Sequence, residues 1–180
     1  VLLIVIFLFL GSPTSHGLSN NIGNNLRNLD SYIQHKNNYN KLKEDRIDAF
    51  RAQLKKAPSD SERYHLYIDL YNEYKSYMYD SAYVYANRSL LLSEKLNNKE
   101  YQVESRCSIV FCLLSAGLYA EAVDAIKNID VTNVSKEYIV QYYLVRIRLN
   151  YDLADYNHVA PYQQAYINKG NLYTDSLLTM

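Results

Sequence analysis

Tryptophan is absent from the sequence, and glycine, proline and cysteine are scarce. The 180 residues include five glycines, three prolines and two cysteines. After Pro13 the only prolines are Pro58 and Pro161, so long stretches contain none of the residues that interrupt regular structure. This scarcity favours helices over a sheet and predicts an all-α chain.

The two cysteines, Cys107 and Cys112, stand five residues apart in a segment whose pattern predicts a helix. Five residues correspond to roughly 140° around a helix axis, so the two thiols would face different directions and could not form a disulfide. We predict that both are free, buried and apolar in character. No histidine stands at metal-ligand spacing with another histidine, a cysteine or a glutamate, so no metal or other cofactor is predicted.

Net charge is also lacking, because 19 basic residues balance 19 acidic ones. A balanced chain has no basic surface of the kind that binds nucleic acid, so no nucleic-acid contact is predicted within this segment. The sequence contains no glycine-rich phosphate loop and no serine in a nucleophile elbow. We therefore predict no catalytic residue and no enzymatic activity, and we interpret the charged residues as solvated helix surface.

The N-terminus carries ten consecutive apolar residues, from Val1 to Leu10. This run is too short to span a bilayer, which takes about 20 residues, and it matches the apolar core of a signal peptide. Small residues at Ser15 and Gly17 place the predicted cleavage after Gly17. The predicted organisation is a signal peptide over residues 1–17, an Asn-rich linker over residues 18–28 and a helical domain over residues 29–180. The chain is thus expected to be exported to the periplasm.

Apolar residues at helical spacing predict one long helix over residues 29–56. Ser59 and Glu62 have the spacing of a capping box at the start of the next helix. Gly117 and Gly170 are predicted to end helices, and Pro161 moves the start of the last helix to about residues 158–160. The six predicted helices after the long one cover residues 60–79, 80–96, 99–116, 120–128, 136–154 and 156–169.

Small residues recur where paired helices would approach each other most closely. In the segment GLYAEAV, residues 117–123, Ala122 follows a glycine and a tyrosine. Ala82 and Ser89 share its phase upstream, and Val159 shares it downstream. This arrangement resembles the tetratricopeptide repeat, in which stacked helix pairs bury a continuous core. The resemblance implies an all-α, tetratricopeptide-like right-handed superhelix of antiparallel helix pairs, preceded by the long N-terminal helix.

A closer resemblance covers the chain from about Leu29 to its end. The blocks that carry it are LD at 29–30 with Ile33, KEDRI at 43–47, YNEYKSY at 71–77 and YDSAY at 79–83. They resemble the start of a family of bacterial tetratricopeptide regulators. The resemblance implies a signal peptide and an exported helical-repeat region, followed by a membrane helix, a coiled coil and a cytoplasmic DNA-binding domain. The protein would contact the membrane only through the signal peptide and that downstream helix.

Tyrosine is unusually abundant, with 20 residues, and it offers an apolar ring with a polar tip. One set recurs at spacings of three, four and three residues: Tyr64, Tyr67, Tyr71 and Tyr74. If these rings line an open groove, they can hold an extended peptide; if the long first helix covers them, they are core. The equivalent residues predicted for the next two helix pairs are Phe111, Leu114 and Tyr151.

Two functions follow from these patterns. The first is an exported domain that binds a protein or peptide ligand as the sensory or interaction part of a transcriptional regulator. The second is a free periplasmic scaffold that binds a peptide or protein partner and has no signalling role. A membrane helix and a helix-turn-helix encoded after Met180 would favour the first; a stop codon soon after it would favour the second.

Overall fold

The computed structural model describes the backbone of residues 16–180 and the side chains of residues 24–180. The apolar run and nearly all of the predicted signal peptide lie outside the described residues, so that assignment stays a prediction. From residue 16 onward the chain forms eight helices and no strand, which confirms the all-α prediction. The helices are α1 His16–Gln34, α2 Lys36–Lys56, α3 Asp60–Tyr74, α4 Tyr79–Lys95, α5 Lys99–Ser115, α6 Tyr119–Lys127, α7 Lys136–Tyr156 and α8 Tyr162–Leu178.

The chain divides into two compact units between Glu44 and Asp45. The first contains α1 and the beginning of α2. Residues 18–28, predicted to be an Asn-rich linker, lie inside α1. Their role as a linker stays a prediction. The asparagines of this segment did not prevent a helix. No helix among the described residues is long and apolar enough to cross a membrane.

The predicted long first helix is broken into two at His35, which lies in a turn between α1 and α2. The His35 ring nitrogen Nδ1 lies 2.7 Å from the Ser31 carbonyl oxygen. In the second unit, Ile47 of α2 is completely buried, and the partly buried Phe50 and Leu54 of the same helix pack against the core.

The remaining six helices form three sequential pairs, α3 with α4, α5 with α6 and α7 with α8, as the tetratricopeptide-like fold requires. Ala82, Ser89 and Ala122 are completely buried, because the helices meet most closely there and larger side chains would separate them. The prediction for Val159 was wrong, since it lies before α8 and is exposed. Ala165 stands fourth in α8, as Ala82 and Ala122 stand fourth in α4 and α6.

Two predicted helix ends are confirmed and one is wrong. The Ser59 hydroxyl accepts a hydrogen bond from the backbone N–H of Glu62 at 3.2 Å, which caps α3. Gly117 ends α5 with φ of +74°, a conformation that other residues rarely adopt. Gly170, however, lies inside α8, which continues to Leu178. The missing side chain of Gly170 leaves room for the Tyr151 ring of α7.

Candidate functional site

A cleft of about 510 Å³ opens along the face formed by α3, α5 and α7, the first helices of the three pairs. Its volume falls in the range of about 300–1,000 Å³ typical of ligand sites. We call it the cleft. Its lining residues are Ile68, Tyr71, Asn72, Lys75, Glu104, Cys107, Ser108, Phe111, Gln141, Leu144, Val145 and Arg148.

The cleft is built from equivalent positions of successive repeats. Asn72, Phe111 and Arg148 each stand thirteenth in their helix. Ile68, Cys107 and Leu144 form a second row, and each stands ninth. Because the three helices are stacked in register, each row crosses all three of them. Each helix pair therefore contributes side chains from the same positions to the cleft.

The ring of Phe111 lies beside two cations. The Arg148 guanidinium carbon is 4.4 Å from the ring centroid, and the Lys75 ammonium nitrogen is 5.9 Å from it. The same ammonium lies 5.4 Å from the centroid of Tyr71, whose ring meets Phe111 edge to face. These distances are within the range of cation–π attraction, which holds the two charges over the aromatic floor.

Hydrogen bonds hold the charged groups of Lys75 and Arg148 in place. The Lys75 ammonium donates to the side-chain oxygen of Asn72 at 2.8 Å. Arg148 donates to the hydroxyl of Ser115 at 3.1 Å and to the carboxylate of Asp152 at 3.3 Å. Burial raises the pKa of the neighbouring Cys112 thiol to about 11, and the positive charges of Arg148 and Lys75 oppose that rise. Lys75 and Arg148 therefore both bring a positive charge to this part of the cleft.

Glu104 supplies the carboxylate of the cleft. Its Oε2 accepts a hydrogen bond of 2.7 Å from the hydroxyl of Tyr64, and the Tyr101 carbonyl oxygen lies 3.1 Å from the same hydroxyl. The rings of Tyr64 and Tyr101 are stacked at 4.0 Å. Burial, with a further contribution from the charge of Glu104, raises the pKa of Tyr64 far above its ordinary value, so its hydroxyl remains a donor.

The four tyrosines of the predicted row contact two different helices. Tyr64 and Tyr71 contact α5, through Tyr101 and Phe111. The other two rings, Tyr67 and Tyr74, lie 6.2 Å and 5.6 Å from the ring of Tyr85 in α4. The division arises because alternate members stand seven residues apart, which brings them back to nearly the same direction on the helix.

The four tyrosines do not form a single exposed row, so their burial favours the core alternative, and ligand binding by the row stays a prediction. Tyr64, Tyr71 and Tyr74 are buried, and Tyr67 is half-buried. Of these four, only Tyr71 lines the cleft. The core alternative expected the long first helix to cover these tyrosines, but more than one helix contacts them. Arg51 of α2 donates to the Tyr74 hydroxyl at 2.7 Å, whereas Tyr64 and Tyr71 are covered by α5.

Of the three residues predicted downstream, Phe111 lies in the cleft and the other two do not. Leu114 is buried in the core. Tyr151 packs against Gly170 and donates to the side chain of Asn171 at 2.8 Å, so it joins α7 to α8. The sequence patterns missed Lys75 and Arg148, which we interpreted as solvated surface. Aligning the first helices of the three pairs would have placed Arg148 in one row with Phe111.

Both cysteines are free and buried, as predicted. Burial raises the pKa of the Cys107 thiol to about 12, so it is protonated at neutral pH and a poor nucleophile. Among the residues that the structure describes, no three histidine, cysteine, aspartate or glutamate side chains are placed to hold a metal ion together.

Paired helices with small residues between them, and a cleft along their first helices, define a tetratricopeptide-type repeat domain. Domains of this class typically act as interaction scaffolds rather than catalysts. Residues 33–180 match the family model of the SusR N-terminal TPR domain, and the chain belongs to that family. This confirms the resemblance to bacterial tetratricopeptide regulators. No curated protein and no solved structure matched the chain.

Proposed function

We propose that this chain is the exported sensory domain of a bacterial transcriptional regulator, and that it binds a protein or peptide partner in the cleft. Membership of the SusR family supports the regulatory role. The apolar run at residues 1–10 supports export. The binding role rests on one observation: equivalent positions in the first helices of three successive pairs line a single open cleft.

The composition of the cleft suits recognition better than catalysis. Its floor combines aromatic and aliphatic side chains, and a few polar groups are held in place by hydrogen bonds. Aromatic and arginine side chains contribute most to the energy of protein interfaces, and Phe111 and Arg148 lie together here. The thiol of Cys107, the one cysteine in the cleft, has a raised pKa, so we propose no catalytic step.

Three chromosomal alleles of the intact gene test this proposal. Leu144→Arg blocks the cleft at low cost to folding, because Leu144 is 51% exposed on α7. Leu91→Arg is the matched control, since Leu91 is 68% exposed on α4 and lies outside the cleft. Deletion of the codons for residues 1–17 removes the predicted export signal. RNA sequencing measures the transcripts that each strain produces, and immunoblotting checks the level of each protein.

We expect the Leu144→Arg and deletion strains to change the same set of transcripts, and Leu91→Arg to change none. Unaltered transcripts in all three strains would contradict the regulatory role and favour a free scaffold. A deletion strain that regulates normally would contradict sensing outside the cytoplasm. Normal regulation by Leu144→Arg alone would show that the partner binds elsewhere.

A further inference from the structure

Lys75 of the cleft carries a charge that no acidic side chain balances. Its ammonium contacts the Asn72 amide oxygen and two aromatic rings, and no carboxylate among the described residues lies within ion-pair distance of it. Both polar and aromatic contacts hold the ammonium beside the cleft. A cation held in place in this way can accept an anion from a partner with little loss of side-chain entropy.

Arg148 of α7 adds a second positive charge, with its guanidinium carbon 4.4 Å from the centroid of the Phe111 ring. Its bond to Asp152 is long, at 3.3 Å, and its other bond goes to an uncharged hydroxyl. Asp152 does not line the cleft, whereas Arg148 does. A partner can therefore approach the guanidinium from the cleft while Asp152 remains in place.

The carboxylate of the cleft is separated from these cations. Glu104 precedes Phe111 by seven residues of α5, which corresponds to about 10 Å along the helix axis. Tyr64 donates to it at 2.7 Å and holds it toward α3. The cleft thus has an acidic part at Glu104 and a basic part at Lys75 and Arg148. This charge distribution favours a partner whose acidic group lies at the basic part.

Apolar side chains line the cleft between its acidic and basic parts, because Ile68 and Leu144 stand ninth in their helices, whereas Glu104 stands sixth and Arg148 thirteenth. Ile68, Leu144 and Val145 come from α3 and α7, and Leu144 is exposed in the absence of a partner. The rows that they belong to cross three helices, so a partner that follows the cleft contacts equivalent positions in turn. An extended chain, whose side chains alternate in direction, fits such a surface better than a compact small molecule does.

We infer that the cleft binds an extended segment of a protein partner that carries an acidic side chain next to an apolar one. The acidic side chain lies between Lys75 and Arg148, over the Phe111 ring, and the apolar side chain contacts Ile68 and Leu144. This inference rests on the proposed use of the cleft and adds the chemistry of the partner. Arg148 suits the role because its planar guanidinium pairs with a carboxylate through two parallel hydrogen bonds.

Selection from a library of random linear peptides, displayed on yeast and sorted against the purified chain, tests the inference. We expect the binders to be enriched in an aspartate or glutamate next to an aliphatic residue. A representative binder is then synthesised with a blocked C-terminus, and again with glutamine or asparagine in place of its acidic residue. Fluorescence anisotropy measures the affinity of both peptides for the chain and its variants.

The variants are Lys75→Gln and Arg148→Gln. Lys127→Gln is the matched control, because Lys127 is exposed on α6, lies outside the cleft and pairs with Asp124. We expect each cleft variant to weaken the acidic peptide by about tenfold, the effect of losing one charged hydrogen bond, and to leave the neutral peptide unchanged. The control should bind both peptides as the unaltered chain does. Lys75 is exposed, so its variant remains informative even if Arg148→Gln does not fold.

Three outcomes would overturn the inference: neutral or basic sequences dominate the selected peptides, no peptide is selected, or Lys127→Gln weakens binding as much as Lys75→Gln does. A binder that requires a free C-terminal carboxylate would also overturn it, because the acid would then be a chain end. These failures leave the proposed function standing if Leu144→Arg still alters the transcripts. Loss of that transcript effect, with peptide binding intact, would instead contradict the regulatory role.

Discussion

Tyr64 shows how a buried polar group is satisfied in this fold. It is completely buried, and its hydroxyl donates to the Glu104 carboxylate at 2.7 Å. Its ring stacks on Tyr101, so one side chain joins α3 to α5 through both its apolar and polar parts. The same bond holds Glu104 at one part of the cleft. A residue of the core thereby sets the charge distribution of the candidate binding surface.

Replacing Tyr64 with Phe should lower the free energy of unfolding by about 1–3 kcal/mol, because it leaves the Glu104 carboxylate without its donor. Urea denaturation followed by circular dichroism measures the change. Tyr83→Phe is the control: Tyr83 is exposed on α4, and its loss of a hydroxyl should change stability by less than about 0.5 kcal/mol. Equal effects of the two substitutions would contradict the assigned role of the Tyr64 hydroxyl.

At the scale of helices, the Tyr151 ring of α7 packs against the backbone of α8 at Gly170. A Cβ atom added at Gly170 would lie 2.8 Å from the Tyr151 Cε1 atom, closer than nonbonded carbon atoms approach. Tyr151 is also fixed by its hydroxyl bond to Asn171. The glycine lies mid-helix because this contact requires it, although glycine disfavours a helix by about 1 kcal/mol relative to alanine.

Gly170→Ala should therefore destabilise the domain by about 1–3 kcal/mol, since the steric clash outweighs the gain in helix propensity. The size of the clash depends on the Tyr151 ring, so a double-mutant cycle with Tyr151→Leu isolates it. In the Tyr151→Leu background, Gly170→Ala should be neutral or stabilising. Urea denaturation of all four proteins gives the coupling energy. An equal cost of Gly170→Ala in both backgrounds would show that the ring is not the cause.

Local patterns predicted most helices, because caps and helix ends depend on neighbouring residues. Ser59 and Gly117 were recognised from such signals, and both behave as predicted. Gly170 was assigned wrongly because a glycine that admits a distant ring has the same local signal as one that ends a helix. The start of α8 was also missed, so the repeat register was extended to Val159 rather than Ala165.

The candidate site was harder to predict than the fold, because it depends on which helix faces meet. Tyr71 was chosen as a member of the tyrosine row and Phe111 as an equivalent position further along the chain, and both line the cleft. Lys75 and Arg148 are ordinary charged residues in the sequence, and only the packing of α3, α5 and α7 brings them to one aromatic ring. Their role follows from three-dimensional contacts that helical periodicity does not contain.

At the scale of the whole molecule, several thiols and phenols of the described residues are buried in the core or packed against it. Burial raises the pKa of Cys107 to about 12 and of Cys112 to about 11, from an ordinary value of 9.0. It also raises the pKa of Tyr138 to about 12, and those of Tyr64 and Tyr71 rise above their ordinary value of 10.0. In the folded chain all of these groups remain neutral in conditions that ionise them once the chain unfolds.

This difference predicts that the domain loses stability in alkaline solution. The contribution of the two thiols is fully present below about pH 9, where both folded and unfolded chains keep these protons. Above that pH the unfolded chain releases them and the folded chain does not, so each thiol costs about 1.4 kcal/mol per pH unit. At about pH 10, one unit above the ordinary thiol pKa, the two thiols together should make the free energy of unfolding about 3 kcal/mol lower than at neutral pH.

Urea denaturation at several pH values from neutral to about pH 10 measures this decline, and a Cys107→Ala/Cys112→Ala variant is its control. The variant will be less stable at neutral pH, because two buried side chains are shortened, but its stability should fall less between about pH 9 and pH 10. Ionisation of the buried tyrosines should then steepen the decline for both proteins above about pH 10. If the unaltered chain and the variant lose stability equally below that pH, the thiols are not buried as the structure places them, because an accessible thiol has nearly the same pKa in the folded and unfolded chain.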